Sequence, residues 1–188
     1  MTTHKGLSLA LLLVMAALVG CTGMGRFDLE VTLDQNAFQA ELSTIPSVEV
    51  NFIGVNRVEH PVWSNYSINK YWMPENPQRV SAARQQQTAA ITFDQQSPFR
   101  QVISRTNRVW DRWRAKGAMH LIVLCNYPRT SQDKPGDADV RRVVLPLDKQ
   151  RWAGYFWGRR RIRFHVSPRG IDCLTPPLPP PPPPKPTR

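Results

Sequence analysis

Residues 118–127 contain the run Met119-His120-Leu121-Ile122-Val123-Leu124-Cys125, which decides what kind of fold the chain can form. A strand with one face in water alternates apolar and polar side chains, whereas a strand covered on both faces is apolar almost throughout. The run is of the second kind. It predicts a central strand in a sheet that has other parts of the protein packed against each of its faces.

Period-two alternation or short apolar runs predict strands on both sides of this segment. Six segments in all predict strands: 27–33, 48–54, 88–94, 118–127, 140–147 and 161–167. Pro146 ends the fifth of these strands or places it at a sheet edge, because proline cannot donate a ladder hydrogen bond. The pattern predicts a mainly β protein, a two-layer antiparallel β-sandwich with a helical insertion between the third and fourth strands.

The helical insertion is predicted at residues 98–116. Ser97 suits an N-cap, Pro98 suits the first turn, and Gly117 stands just past the end. Seven residues share one face at 100° per residue: Phe99, Val102, Ile103, Thr106, Val109, Trp110 and Trp113. The rest of the surface is cationic, so the helix either lies on an anionic membrane or packs on a sheet with its charges in solvent. We expect the packed helix.

An aromatic-rich segment, residues 60–77, connects the second and third strands. It contains Trp63, Tyr66, Tyr71 and Trp72. Tyrosine and tryptophan combine a large apolar area with a polar group, so they suit both core lids and binding surfaces. The segment is either a long connection folded over one end of the core or an exposed recognition loop. In the second case these four side chains are candidates for partner contact.

A second candidate contact surface is the basic edge at the last strand, formed by Arg159, Arg160, Arg161 and Arg163. Charged residues at a sheet edge often do no more than discourage strand pairing. Arginine and aromatic residues are also the types enriched at interface hot spots. The edge is therefore either a solvated border or a surface that holds an anionic partner.

Few catalytic groups stand out. After residue 21 the chain has His60, His120 and His165, and it lacks a Gly-x-Ser-x-Gly elbow, a phosphate-binding glycine loop and a His-Glu-x-x-His motif. His120 and Cys125 are five residues apart, so they point to opposite faces of a strand and do not match a zinc-ligand spacing. The sequence predicts no catalytic residues, no metal site and no cofactor, and hence no enzyme.

The beginning of the chain predicts export. Ser8 is the only polar residue in 7–19, a core of signal-peptide length and too short to span a membrane. It closes on Leu18-Val19-Gly20-Cys21, which resembles the lipobox of bacterial lipoproteins. The resemblance implies a signal peptide at residues 1–20, cleavage after Gly20, acylation of Cys21 and a short tether at 21–26. Thr22, in place of Asp, implies export to the outer membrane, with the protein facing the periplasm.

Export limits what the strong positive charge and the two remaining cysteines mean. The 188 residues carry a formal net charge of +11, but outside the cytoplasm the available polyanions are lipids, envelope polymers and acidic proteins, and nucleic acid is not expected. The compartment is oxidising, so Cys125 and Cys173 can form a disulfide. The alternative is a free, buried Cys125, which is common in apolar runs.

The order of elements in residues 27–172, behind a lipobox, resembles the outer-membrane lipoprotein family of type VI secretion systems. The resemblance implies a transthyretin-like β-sandwich, spanning 27–174, that contacts the periplasmic end of an inner-membrane protein. The aromatic segment departs from that family. So does the tail at 175–188, in which nine residues are proline; it is predicted to be a disordered, extended polyproline rod.

Three functions follow from the sequence. The first is a structural or docking component of a cell-envelope assembly, tethered to the membrane and in contact with a protein partner. The second is a module that binds envelope glycan or lipopolysaccharide, with tryptophans stacked on sugars and arginines paired with phosphates. The third, with least in its favour, is a hydrolase whose residues converge from distant loops.

Overall fold

The computed structural model describes residues 23–130 and 132–182. These residues form eight strands: β1 (Asp28–Leu33), β2 (Val48–Val55), β3 (Thr88–Phe93), β4 (Arg100–Ile103), β5 (His120–Cys125), β6 (Arg142–Pro146), β7 (Arg161–Ser167) and β8 (Gly170–Cys173). The same residues form five α-helices: α1 (Gln35–Leu42), α2 (His60–Asn65), α3 (Ile68–Tyr71), α4 (Pro77–Arg84) and α5 (Val109–Ala115). None of these helices is long and apolar enough to cross a bilayer. The predicted signal peptide at residues 1–20 and Cys21, the predicted acylation site, lie outside the described residues.

The strands build two four-stranded sheets in the described part of the chain. The first sheet has the order β4-β1-β7-β8, and the second has the order β3-β2-β5-β6. The mainly β, two-layer sandwich predicted from the sequence is confirmed. All neighbouring strands pair antiparallel except β1 and β7, which run parallel from Asp28 beside Arg161 to Leu33 beside Val166. This long-range parallel pair joins the two ends of the domain.

The main core lies between the sheets and is formed by the inward side chains of alternating strands. In β1 and β7 these are Leu29, Val31, Leu33, Ile162, Phe164 and Val166, all buried. The second sheet contributes Phe52, whose ring centroid is 5.5 Å from that of Phe164. Gly54 of β2 also matters, because a Cβ at this position would lie 2.4 Å from Cγ of Trp113. Glycine there lets the α5 tryptophan pack directly on the backbone of β2.

Strand β5 is covered on both faces, as its apolar run predicts. Leu121 and Val123 face the main core, whereas Ile122 and Leu124 belong to a second apolar cluster on the outer face of the second sheet. Helices α2 and α3 cover that outer face and add Trp63, Ile68 and Tyr71 to the cluster. A near-continuous apolar strand therefore reflects two separate cores, one on each side of the sheet.

The predicted helix at 98–116 is wrong in its first half. Residues 100–103 are β4, which pairs antiparallel with β1, and only 109–115 are helical. The apolar face assigned to one helix is shared between the strand residue Ile103 and the helix residues Trp110 and Trp113, all buried. Pairing with the open edge of β1 satisfies backbone groups in the strand, and this tertiary gain overrides the local helical pattern.

The chain also continues beyond the predicted last strand. Gly170, at φ 139°, closes a tight turn after Ser167, and β8 returns antiparallel to β7. A Cβ on Gly170 would lie 2.3 Å from the carbonyl oxygen of Val140, so glycine also permits the close approach of β8 to the start of β6. There Ile171 donates its backbone N–H to Val140 at 2.8 Å, which links the two sheets.

The first residues of the proline-rich tail, which is predicted to be disordered from residue 175, make hydrogen bonds with the domain. Arg163 donates its backbone N–H to Oγ1 of Thr175 at 2.7 Å. Farther along, Leu178 and Arg151 exchange two hydrogen bonds of 2.7 and 2.6 Å. Arginines thus hold backbone and side-chain oxygens that proline-rich sequence leaves unpaired. Residues 183–188 lie outside the described residues.

Candidate partner-docking site

The exposed face of the first sheet carries an arginine-lined cleft, which we call the arginine cleft. Its volume is about 760 Å³. The charged side chains that line it are Arg100, Arg105, Arg159, Arg160, Arg161, Arg163, Asp28 and Glu30. Phe27, Trp152, Thr175 and Pro176 complete the walls, so the start of the tail borders the cleft. Among the described residues, the lining therefore has a surplus of four positive charges.

Strand register explains why these side chains meet. In β7 the apolar residues point to the core, so Arg161 and Arg163 point outward. The parallel pairing with β1 places Asp28 beside Arg161 and Glu30 beside Arg163. On the other side of β1, β4 brings Arg100 next to Thr32. Two carboxylates of one strand are thus flanked by arginines from the two neighbouring strands.

Glu30 organises the cleft. Its side chain is 6% exposed, and one of its oxygens accepts hydrogen bonds from Arg100 at 2.7 Å and from Arg161 at 3.0 Å. The two arginine side chains nevertheless remain 61% and 51% exposed. One buried carboxylate therefore sets the position of two guanidinium groups and leaves most of their donor N–H groups facing solvent. This is a preorganised arrangement for binding carboxylate or phosphate.

Neighbouring groups also position Arg160 and the backbone at Arg105. Arg160 lies over the ring of Tyr155, with 4.8 Å between the guanidinium carbon and the ring centroid. The backbone N–H of Arg105 donates to Asp28 at 2.8 Å, which anchors the turn after β4 at the rim. Asp28 is therefore partly used by the backbone, and the surplus of positive charge stays with the exposed arginine side chains.

The structure separates the two predicted contact surfaces. Arg159, Arg160, Arg161 and Arg163 come together in the arginine cleft and are all exposed. The aromatic segment instead covers the outer face of the second sheet, on the opposite side of the sandwich. Arg100, Arg105 and Glu30 could not be assigned to the cleft from local patterns, because only the pairing of β4, β1 and β7 brings them there.

Trp63 and Tyr71 are candidates for partner contact in the sequence, but the structure places both in the interior. They are only 4% and 0% exposed, so no partner can reach them in this structure. The Tyr71 hydroxyl accepts a hydrogen bond from Asn51 at 3.0 Å, and burial raises the pKa of Tyr71 to about 12, with the Asn51 bond acting in the opposite direction. The aromatic segment, residues 60–77, is thus a lid over the second core, to which these two side chains belong. This is the first of the two alternatives for the segment, a connection folded over the core.

Tyr66 and Trp72 are partly buried and also hold the lid in place. Nε1 of Trp72 donates to the carbonyl of Cys125 at 3.1 Å, and the Tyr66 hydroxyl accepts from Asn76 at 3.1 Å. The guanidinium of Arg79 lies 4.7 Å from the centre of the Trp72 ring. The indole N–H of Trp72 and the hydroxyl of Tyr66 are therefore both hydrogen-bonded within the chain.

Buried arginines fasten the same lid to β6. Arg141 is 2% exposed and binds Asp139, Asp133 and Asn69. Burial by itself would raise the pKa of Asp139, but its hydrogen bonds and the charge of Arg141 outweigh burial and hold that pKa at about 2. Arg142 donates to the carbonyls of Ser64, Tyr66 and Gly136. Both arginines are therefore buried structural residues.

In the described residues Cys125 is a buried free thiol and Cys173 is a partly buried free thiol. Burial raises the pKa of Cys125 to about 12 and raises that of Cys173 as well. A thiol needs a lowered pKa to act as a nucleophile near neutral pH. Neither cysteine is activated in this way.

The histidines lie away from the main concavities. Five surface clefts formed by the described residues have no histidine in their linings. The rings of His60 and His120 pack with centroids 4.1 Å apart, and burial followed by the charge of His60 lowers the pKa of His120. His165 lies 3.3 Å from Asp34 at the surface. Within the described ranges, no group of three or more His, Cys, Asp or Glu side chains is placed to hold a metal ion.

Comparison with known proteins yields structural similarity alone. No protein-family profile matches the chain, and no curated protein matches it in sequence. Among solved structures it is similar to Lip of Serratia marcescens, described as a membrane-bound component of the type VI secretion system, with a TM-score of 0.38 and 10% identity over 81% of this chain and 97% of Lip. It is also similar to the type VI secretion lipoprotein TssJ1 of Pseudomonas aeruginosa, with a TM-score of 0.41 and 9% identity over 83% of this chain and 99% of TssJ1.

Proposed function

We propose that this protein is a non-enzymatic lipoprotein, held by an acylated Cys21 at the periplasmic side of the outer membrane, that docks a protein partner of an envelope assembly. The observation that carries the docking role is the arginine cleft, with exposed guanidinium groups ordered by Glu30. Such groups recognise carboxylates through paired N–H donors. The partner is therefore a segment rich in Asp and Glu.

The size of the cleft suits this occupant. About 760 Å³ is within the range of sites that enclose a ligand of a few side chains. Phe27 and Trp152 are only 1% and 6% exposed, so the surface that the cleft offers is mainly that of its arginines. A short acidic segment would satisfy these arginines.

The lipobox resemblance supports the proposed location of the protein at the outer membrane. The element order of residues 27–172 supports the proposed kind of assembly. On that resemblance we propose the membrane complex of a type VI secretion system as the assembly. The partner would then be the periplasmic part of an inner-membrane protein of the complex. An acyl anchor gains about 0.8 kcal/mol for each buried methylene, so several chains make attachment nearly permanent.

The anchor is tested by labelling cells with radioactive palmitate and fractionating their membranes. The wild-type protein and the matched Cys173→Ser variant should both carry label and sediment with the outer membrane. Cys21→Ser should lose the label and the membrane association. A labelled Cys21→Ser protein, or an unlabelled wild-type protein, would contradict the anchor.

The docking role is tested with a photo-crosslinking residue at Arg163, followed by mapping of the crosslinked peptide. We expect an acidic segment of one envelope protein. The double variant Arg105→Glu with Arg159→Glu should reduce the crosslink by about tenfold, as expected when interface charges repel. The control Arg57→Glu with Arg84→Glu makes the same change in net charge at exposed arginines outside the cleft, and it should crosslink like the wild type.

A different result would favour the polymer-binding alternative, for which the cationic cleft also provides phosphate-binding groups. In that case no protein peptide would be captured. The purified protein would sediment with lipopolysaccharide at low salt, and the double variant of the cleft would not. Equal crosslinking by both double variants would contradict docking in the cleft altogether.

A further inference from the structure

A short turn beside the arginine cleft presents two aromatic side chains to solvent. Residues 154–158 form this aromatic turn, in which Phe156 is 65% and Trp157 is 90% exposed. Gly154 and Gly158 flank it at φ 75° and 87°, conformations that glycine adopts without steric cost. A nearly fully exposed tryptophan makes no contribution to the core, so its position calls for a role outside the domain.

The turn is held rigidly from below. Tyr155 is 8% exposed, and its ring centroid lies 5.2 Å from that of Phe27. Its hydroxyl accepts the backbone N–H of Arg26 at 3.2 Å, and the N–H of Trp157 bonds back to Gly154 at 3.0 Å. Phe156 and Trp157 are therefore displayed by an ordered support, which lowers the entropy cost of a contact.

The beginning of the described chain runs past the same place. Met24 forms a β-bridge with Asp148, and Gly25 donates its N–H to Leu147 at 2.7 Å. A Cβ placed on Gly23 would lie 3.8 Å from Nζ of Lys149, and that Nζ lies 5.8 Å from the centre of the Phe156 ring. Lys149 thus connects the start of the described chain with the aromatic turn.

Chain length then limits where a membrane can be. Cys21 precedes Gly23 by two residues, a reach of about 7 Å when fully extended. Acyl chains on Cys21 would enter the bilayer within that distance of Gly23. Met119, which is 53% exposed, lies in a small cleft with Gly23 and Met24 and adds apolar surface at the same place.

The chemistry of this surface matches the headgroup region of a phospholipid leaflet. Tryptophan prefers the interface between headgroups and acyl chains. A lysine near anionic lipid contributes about 1 kcal/mol of attraction. The aromatic turn, Lys149 and Met119 combine an apolar tip, a positive charge and an adjoining apolar patch.

We propose that the aromatic turn and Lys149 form a second membrane contact, which inserts Phe156 and Trp157 into an anionic phospholipid leaflet and orients the tethered domain. This inference rests on the proposed acylation of Cys21, which brings the turn to the leaflet. The contact holds the arginine cleft, which the turn borders through Gly158, at a defined height above the membrane. It therefore restricts the directions from which a partner reaches the cleft.

The test places a photo-crosslinking phenylalanine analogue at Trp157 in the acylated, full-chain protein and measures its crosslinking to labelled phospholipid in reconstituted vesicles. The matched control is the same substitution at Met73. This residue is 56% exposed and lies near the opposite end of β5 from Met119, next to Trp72, which bonds to Cys125. We expect position 157 to label lipid about tenfold more than position 73.

Adding phosphatidylglycerol to neutral vesicles should increase the crosslinking at position 157, and Lys149→Gln should remove most of that increase. Equal labelling at positions 157 and 73 in a protein that carries palmitate would overturn the second contact and leave the anchor intact. Absence of palmitate would overturn the anchor instead. Lipid crosslinking at position 157 in a protein without palmitate would support the contact while contradicting the anchor.

Discussion

The two outer faces of the sandwich use arginine in opposite ways. On the second sheet, Arg141 and Arg142 are 2% and 3% exposed, and every strong contact they make is within the chain. On the first sheet, Arg100 and Arg161 are more than half exposed although they share the buried Glu30. Arginine is a buried structural residue where a layer covers the sheet, and it is exposed to solvent and to partners where no layer covers the sheet.

The aromatic residues divide in the same way. Trp63 is buried in the second core, whereas Trp157 is exposed to solvent at the tip of a turn. Residue type alone is therefore a poor guide to a binding surface, and the covering layer decides which aromatics and arginines a partner can reach. The difference between the closed face and the open face can be tested by matched substitutions.

The largest expected difference is between the two tryptophans. Trp63→Ala removes a buried ring from the second core and should lower the free energy of unfolding by about 3–5 kcal/mol. Trp157→Ala removes an exposed ring and should change it by less than about 0.5 kcal/mol. Urea denaturation followed by circular dichroism measures both. Similar losses in the two variants would show that the faces are not closed and open as described.

The arginines should differ next. Arg141→Ala leaves the buried carboxylate of Asp139 without its partner and should cost about 3 kcal/mol, the low end for a broken buried pair, because Asp133 is 27% exposed and can be hydrated. Arg100→Ala removes an exposed arginine from Glu30, which keeps Arg161 as a partner, and should cost about 1 kcal/mol or less. The same denaturation measurement applies. A larger loss for Arg100→Ala would reverse the assigned roles.

A smaller effect is expected from one hydroxyl under the lid. Tyr71→Phe removes the acceptor of the Asn51 hydrogen bond in a buried site and should cost about 1–3 kcal/mol, since an unpaired buried amide is costly. Tyr127→Phe is the matched change at a partly buried tyrosine of the main core and should cost less than about 0.5 kcal/mol. Thermal unfolding of both variants distinguishes them, and equal melting temperatures would count against the buried hydrogen bond.

The last difference appears only in acid. The native pKa of Asp139 is about 2, whereas in an unfolded chain an aspartate has a pKa near 3.9. Because the native value is the lower one, this contribution to stability is complete above about pH 4 and is lost as the pH falls toward 2. Denaturation between pH 5 and pH 2 should show the loss in the wild type and in the exposed Asp172→Asn control. It should be reduced in Asp139→Asn, and an unchanged slope would exclude this role.

Much of the strand content could be read from local patterns. Alternation located β1, β2 and β7, and the unbroken apolar run of β5 predicted cover on both faces. The local pattern predicts a helix at β4, because the apolar residues of β4 fit a helical face when joined to those of α5. Pairing with β1, at a separation of about seventy residues, decided the outcome, and no local pattern reports such a partner.

The candidate site, like the strands, could be predicted from the sequence only in part. The basic side chains of Arg161 and Arg163 could be recognised because arginine alternates with core residues in β7. They line an exposed face and not the predicted sheet edge, because β7 lies between β1 and β8. The role of Glu30 could not, because it depends on a parallel pair formed by the two ends of the domain. The burial of Trp63 and Tyr71 was open from the sequence, since the same aromatic residues suit a lid and a binding surface equally well.

By itself, the sequence determined six of the eight strands of the described residues, the apolar faces of those strands and the lipobox-like start of the chain, because each of these depends on neighbouring residues. The tertiary structure alone decided which outer face is covered and which arginines are buried. It also decided which residues converge on the cleft. These depend on contacts between segments far apart in the chain, where backbone pairing and the burial of apolar area outweigh local preference.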